Sequence, residues 1–143
     1  METRVGIVMA NYNYGHYFLD GIESIKNQTY EGPITTYVVD DGSTDDSWEK
    51  ICNITEEDSS EQVEEEYYTG PIECRKGENL FAYRIKNSGA STARNVGISK
   101  AFSDSDVFGI LDADVYGPSQ HLMFDVEQEK PIAVNINGRS KMK

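Results

Sequence analysis

A chain of 143 residues suits one domain and leaves little room for two. With 38% hydrophobic and 10% aromatic residues it has the material for a buried core, and it reads as neither disordered nor fibrous. A formal net charge of -12, from 25 acidic and 13 basic residues, argues against a nucleic-acid or anionic-lipid footprint, because both need clustered Lys and Arg.

The first predicted element is Val5–Ala10 (VGIVMA), a continuous apolar run rich in β-formers that reads as a strand buried on both faces. It is too short for a signal-peptide core or a membrane span, so a cytoplasmic location is expected. After the loop NYNYGHY, the residues Phe18, Leu19, Ile22 and Ile25 recur at helical spacing and predict an amphipathic helix over 18–27. Gly32-Pro33 breaks the chain, and ITTYVV at 34–39 is a second strand.

Asp40-Asp41-Gly42-Ser43 then forms a turn with several N-cap candidates ahead of a helix at 48–54. That helix is expected to run into EEDSSEQVEEE at 56–66, whose seven acids and no base read as a solvated loop or helix face. Residues 67–85 allow two readings: a single strand at Leu80–Ile85, or a hairpin turning near Lys76-Gly77-Glu78-Asn79. Ser91–Phe102 reads as a helix begun by a hydroxyl cap, and VFGIL at 107–111 as another doubly buried strand. Beyond Pro118 a short helix and a strand around Ile132–Ile136 are expected. Cys52 and Cys74 lack CxxC spacing and read as free thiols, while His16 and His121 read as loop or surface residues.

Strands alternate with helices, and the strands are apolar throughout rather than at every second position. This predicts an α/β fold with a mainly parallel sheet covered on both faces, where ligands bind outside the carboxyl ends of the strands. Polar clusters stand at those ends. Asp112 and Asp114 are i and i+2 after VFGIL, so both carboxylates can converge on one point, and a divalent ion such as Mg²⁺ or Mn²⁺ relieves their repulsion. Two aspartates in succession, Asp40 and Asp41, exceed what a helix cap needs and can accept hydrogen bonds from a ligand. Tyr12 can stack on a base at a loop lip. Small residues at 88–93 let a ligand approach the backbone, and Arg94 can pair with phosphate.

The stretches VGIVMANYNYGHYFLDGIESIKNQTY, TYVVDDGSTDDSWE, KNSGASTARNVGISKA and FGILDADVYGP, in this order, resemble family 2 glycosyltransferases of the GT-A fold over most of residues 4–118. The resemblance implies a Rossmann-like domain over 1–143 that binds a nucleoside-diphosphate sugar, with a UDP-sugar favoured, and transfers the sugar to an acceptor hydroxyl with inversion. By position Asp114 matches the metal-ligating aspartate, and Asp112 matches the one on the ribose and sugar side. Asp41 matches the base-contacting aspartate with Asp40 beside it, Tyr12 the stacking aromatic, and Arg94 the phosphate side.

The chain departs from the family pattern in three places. Val115 stands where many members have a third acid, and the acidic insert before Leu80 is unusual. Only 29 residues follow Asp114. No catalytic base is identifiable among Asp125, Glu127 and Glu129, so the acceptor half is expected from further chain or from a partner chain. The competing expectation is a non-catalytic nucleotide-sugar-binding module. A dehalogenase-type phosphotransferase is disfavoured, because Tyr116 stands at the offset where that class has Thr or Val. A nucleotidylyltransferase would open on a glycine- and arginine-rich loop, which NYNYGHY is not.

Overall fold

In the computed structural model, residues 2–111 are described in full, together with the backbone of 133–136 and 139–142. The chain divides into two compact units, Met1–Ala113 and Asp114–Lys143. In the second, β7 (Ala133–Ile136) pairs antiparallel with β8 (Arg139–Met142). The short helix expected beyond Pro118 lies outside the described residues.

The first unit contains a six-stranded sheet. Its parallel part is formed by β1 (Val5–Asn11), β2 (Ile34–Asp40), β5 (Leu80–Arg84) and β6 (Val107–Leu111). An antiparallel extension comes from β3 (Glu57–Glu65) and β4 (Tyr68–Gly77), and the order is β3-β4-β5-β2-β1-β6. Helices cover both faces, because the central strands are apolar on both. Phe18, Ile22 and Ile25 of α1 (Gly15–Lys26) pack with Ile51 of α2 (Ser47–Asn53) against Met9, Val38, Leu80 and Ala82. On the other face, Ala93, Val96 and Ala101 of α3 (Ala90–Phe102) pack on Val8, Val39 and Ile85. Gly97 lets this helix sit directly on β1, since a Cβ there would meet Val8 Cγ1 at 2.4 Å. Among the described residues no helix is long and apolar enough to cross a membrane.

Four expectations need correction or resolution. The helix before the acidic run stops at Asn53, and residues 57–65 form strand β3 instead of a loop or helix face. Every β3 residue is exposed except the half-buried Val63, so burial does not hold it. It is held by its ladder to β4, with Glu57 opposite Lys76, Asp58 opposite Arg75, and Glu61 paired with Lys100 from α3. Opposite charges facing each other across strands stabilise such a pair modestly.

Of the two readings of 67–85, the hairpin is the one adopted, turning at Glu78-Asn79 with Asn79 in the left-handed region (φ 53°). The start of α3 has no hydroxyl cap; Gly89 stands there at φ 96°, and Asp41 reaches across from the loop after β2 to accept the Ser88 and Gly89 N–H groups. Lastly, β6 is not doubly buried. It is the outermost described strand on its side, and Val107 and Phe108 are 36% and 39% exposed.

Candidate nucleotide site

Because β1, β2, β5 and β6 are parallel, their carboxyl ends share one edge of the sheet. Three loops leave that edge within the described residues, after Asn11, Asp40 and Arg84. Those three residues form one row across the strands, with Asn11 beside Asp40 and Asp40 beside Arg84.

Asp40 is the hub of the row and is fully buried. Its Oδ1 accepts from Asn11 Nδ2 at 2.9 Å and Ser43 Oγ at 2.6 Å, and its Oδ2 from the Ser43 N–H at 3.0 Å. Arg84 Nε lies 3.9 Å from Oδ2, while the guanidinium lies over the Trp48 ring and donates to the Ser43 carbonyl at 3.2 Å. A carboxylate so engaged organises a loop without needing any ligand.

Asp41 is also buried, at 3% exposure. Its N–H donates to the Asn11 carbonyl at 2.9 Å. One carboxylate oxygen accepts the Ser88 N–H at 2.7 Å, and the other accepts the Gly89 N–H at 3.0 Å. Each oxygen keeps acceptor capacity, since a carboxylate offers about four lone-pair sites. Gly42 makes the turn at φ 67°, and a Cβ there would meet the Asn87 backbone nitrogen at 2.9 Å. The loops after β2 and β5 are therefore in backbone contact.

Tyr12 stands 45% exposed at the lip, on the loop after β1. His16 and Tyr17 continue an aromatic surface at the start of α1, their ring centroids 4.1 Å apart. His16 is an exposed surface residue, as its sequence context suggests. Arg94 is 5% exposed in α3. Asp112 and Asp114 lie outside the described residues, and among the described residues no group of three or more acids, histidines or cysteines is placed to hold a metal ion. Cys52 and Cys74 are free and half-buried.

The structure thus brings Tyr12, Asp40 and Asp41 to one edge, with both aspartates turned inward onto the chain. The sequence reading missed Asn13, Asp45 and Arg84, which connect the loops. Asn13 had a usable signal: asparagine two residues before a glycine in a loop tolerates the left-handed backbone it adopts, φ 56°. Arg84 had none. A separate cleft of about 700 Å³ opens at the opposite edge, lined by Ile22, Ile34, Leu80 and Tyr30, with Lys26 and Glu56. None of Tyr12, Asp40, Asp41 or Arg94 lines it.

Two aspartates at this edge are shifted in opposite directions. Burial pushes the Asp41 carboxyl up, and its negative neighbour Asp40 adds to this, against the two backbone N–H groups that lower it. Slight burial acts upward on Asp45 too, but hydrogen bonds from Ser47 and Gly15 and the charge of Lys50 outweigh it and hold the carboxyl low. Carboxyl-carbon NMR titration should place Asp41 above the ordinary 3.8 and Asp45 below it. By linkage, stability from Asp41 is fully present below 3.8 and lost as pH rises through its folded value. Stability from Asp45 is present above 3.8 and lost as pH falls through its own. Titration of both below 3.8 would mean that the two backbone N–H groups outweigh the burial of Asp41, and titration of both above it that burial outweighs the donors to Asp45.

An open α/β sheet with its polar loops gathered at the carboxyl edge defines a class of nucleotide- and sugar-phosphate-binding folds. The chain belongs to glycosyl transferase family 2, whose model matches residues 6–123. It is similar to an uncharacterised glycosyltransferase of Haemophilus influenzae, 36% identical over 77% of this chain and 36% of that protein. It also resembles the minor teichoic acid biosynthesis protein GgaA of Bacillus subtilis, at 33% identity over 76% of this chain and 21% of the relative. The glycosyltransferase GlyG of Streptococcus pneumoniae is 31% identical over 80% and 31%. The chain therefore spans about a third or less of the length of these relatives.

Proposed function

We propose that this chain is the nucleotide-sugar-binding portion of a glycosyltransferase that moves a sugar from a nucleoside-diphosphate sugar to an acceptor hydroxyl. A UDP-sugar is the favoured donor and inversion the favoured course. The observation that carries the reading is the laced carboxyl edge, where the exposed Tyr12 and the buried Asp41 lie on adjoining loops in a member of this family.

In this reading the base stacks on Tyr12, and its imide N–H or the ribose hydroxyls use the spare acceptor capacity of Asp41. Asp40 holds the loop beneath. The Asp112 and Asp114 carboxylates are hard oxygen donors and suit Mg²⁺ or Mn²⁺. When bound, that cation would offset the charge of the diphosphate, as a chain of net charge -12 requires. Transfer forms a bond from the acceptor oxygen to the anomeric carbon and breaks the bond from that carbon to the diphosphate. The acceptor proton passes to a base supplied by residues not yet assigned.

Calorimetry of the full chain against UDP, GDP, ADP and CDP, with and without Mn²⁺, tests the binding. Metal-dependent affinity for one of the four, UDP foremost, is expected, and no binding to any of them refutes the reading. Release of sugar from a UDP-sugar by the same samples would show turnover. Binding without release would instead favour a non-catalytic module.

A further inference from the structure

The loop that holds Tyr12 is tied down on both sides of that residue. Before it, Asn11 is bound to Asp40 by its side chain and to the Asp41 N–H by its carbonyl. After it, Asn13 takes a left-handed backbone, φ 56°, and donates its N–H to Ser43 Oγ at 3.0 Å. Its side-chain Oδ1 accepts the Thr44 N–H at 2.7 Å and the Asp45 N–H at 3.2 Å. The tie is reciprocal: Asp45 Oδ2 accepts the Gly15 N–H at 2.9 Å, and Lys50 donates to the Gly15 carbonyl at 2.8 Å. Loops 30 residues apart in sequence thereby cap each other. Tyr12 stands between the two fixed points with its ring exposed.

We propose that Asn13 is a positioning residue for nucleotide binding, locking the loop after β1 to the start of α2 so that the Tyr12 ring is fixed before a ligand arrives. This rests on the nucleotide reading above. The position asks for two things at once, a tolerated positive φ and a side-chain acceptor two bonds from Cβ. Asparagine and aspartate meet both, glycine only the first, and alanine neither. An unlocked loop would leave the ring's ordering to be done on binding, which lowers affinity without removing any contact.

The test is calorimetry of the full chain with UDP and Mn²⁺, run as a cycle with Tyr12→Ala. Base–aromatic stacking is worth about tenfold in affinity, and Tyr12→Ala should show that loss. Asn13→Gly should lose nearly as much, whereas Asn13→Asp should stay within about threefold of wild type. In the Tyr12→Ala background, Asn13→Gly should cost almost nothing, because the ring it positions is gone. Asp45→Ala cuts the reciprocal bond without touching the Asn13 backbone and should behave the same way, so a misfolded Asn13→Gly does not end the test.

An equal loss in both backgrounds would mean a general structural role and would overturn the proposal, as would wild-type affinity in Asn13→Gly and Asp45→Ala. A wild-type chain that binds none of the four nucleoside diphosphates overturns the nucleotide reading itself, and this inference with it.

Discussion

Replacing Asp40 with alanine is expected to lower folding stability by about 3–5 kcal/mol, because its buried donors lose their acceptor and cannot reach water. Asn11 and Ser43 are 5% and 3% exposed, and between them they direct an amide, a hydroxyl and a backbone N–H at this one carboxylate. Each donor left buried without a partner costs about 1–3 kcal/mol. Arg84 adds little to the total. It is 34% exposed, lies 3.9 Å away, and can turn its charge to solvent. Hydrogen bonding therefore outweighs the ion pair. In urea the midpoint should fall by about 2 M at an m-value of about 2 kcal/mol/M. Asp40→Asn should fall between the two, since its carbonyl still serves Asn11 while its amide opposes the Ser43 N–H. An Asp40→Ala protein within about 1 kcal/mol of wild type would mean that this carboxylate is not the organiser of the edge.

The second large effect is functional. If the proposed metal site is right, Mn²⁺ should raise UDP affinity about a hundredfold, on the several-kcal/mol scale of metal charge stabilisation, and Asp114→Ala should abolish that gain. The reason is charge. A diphosphate must approach a chain of net charge -12, and the described edge already holds Asp40, Asp41, Asp45 and Asp46. In the proposed reading a cation compensates this repulsion and Asp114 is its principal carboxylate, so the substitution would remove the anchor. Asp112→Ala should weaken the same gain less, as a second ligand. The control is binding without metal, which neither substitution should lower. If Asp114→Ala kept the full Mn²⁺ response, the metal assignment would be wrong.

What could be read from the sequence divides along a physical line. Strands β1, β2 and β5 announce themselves as apolar runs, and α1 by its spacing, because burial writes itself into local composition; β6 is an apolar run too, although none of its residues is fully buried. Strand β3 does not, since none of its residues is fully buried and it is held by its ladder to β4. The start of α3 misled for a related reason: the group that anchors it is Asp41, nearly fifty residues upstream, so no nearby residue advertises it. The site shows the same split. Tyr12, Asp40 and Asp41 stand out as polar residues at the ends of apolar strands, whereas the Asn13–Asp45 tie exists only once two loops meet. That both aspartates face inward likewise depends on donors brought in by folding.

The two outer strands of the six-stranded sheet have opposite characters. A strand added alongside β3 would have to lie against Glu57, Asp58, Glu61, Glu64 and Glu65, so like charges keep a second copy of the same edge away. One added alongside β6 would meet Val107, Phe108 and Ile110, with no charge among the five residues of that strand. Among the described strands, like charge therefore disfavours addition alongside β3, whereas β6 itself carries no charge that would oppose it.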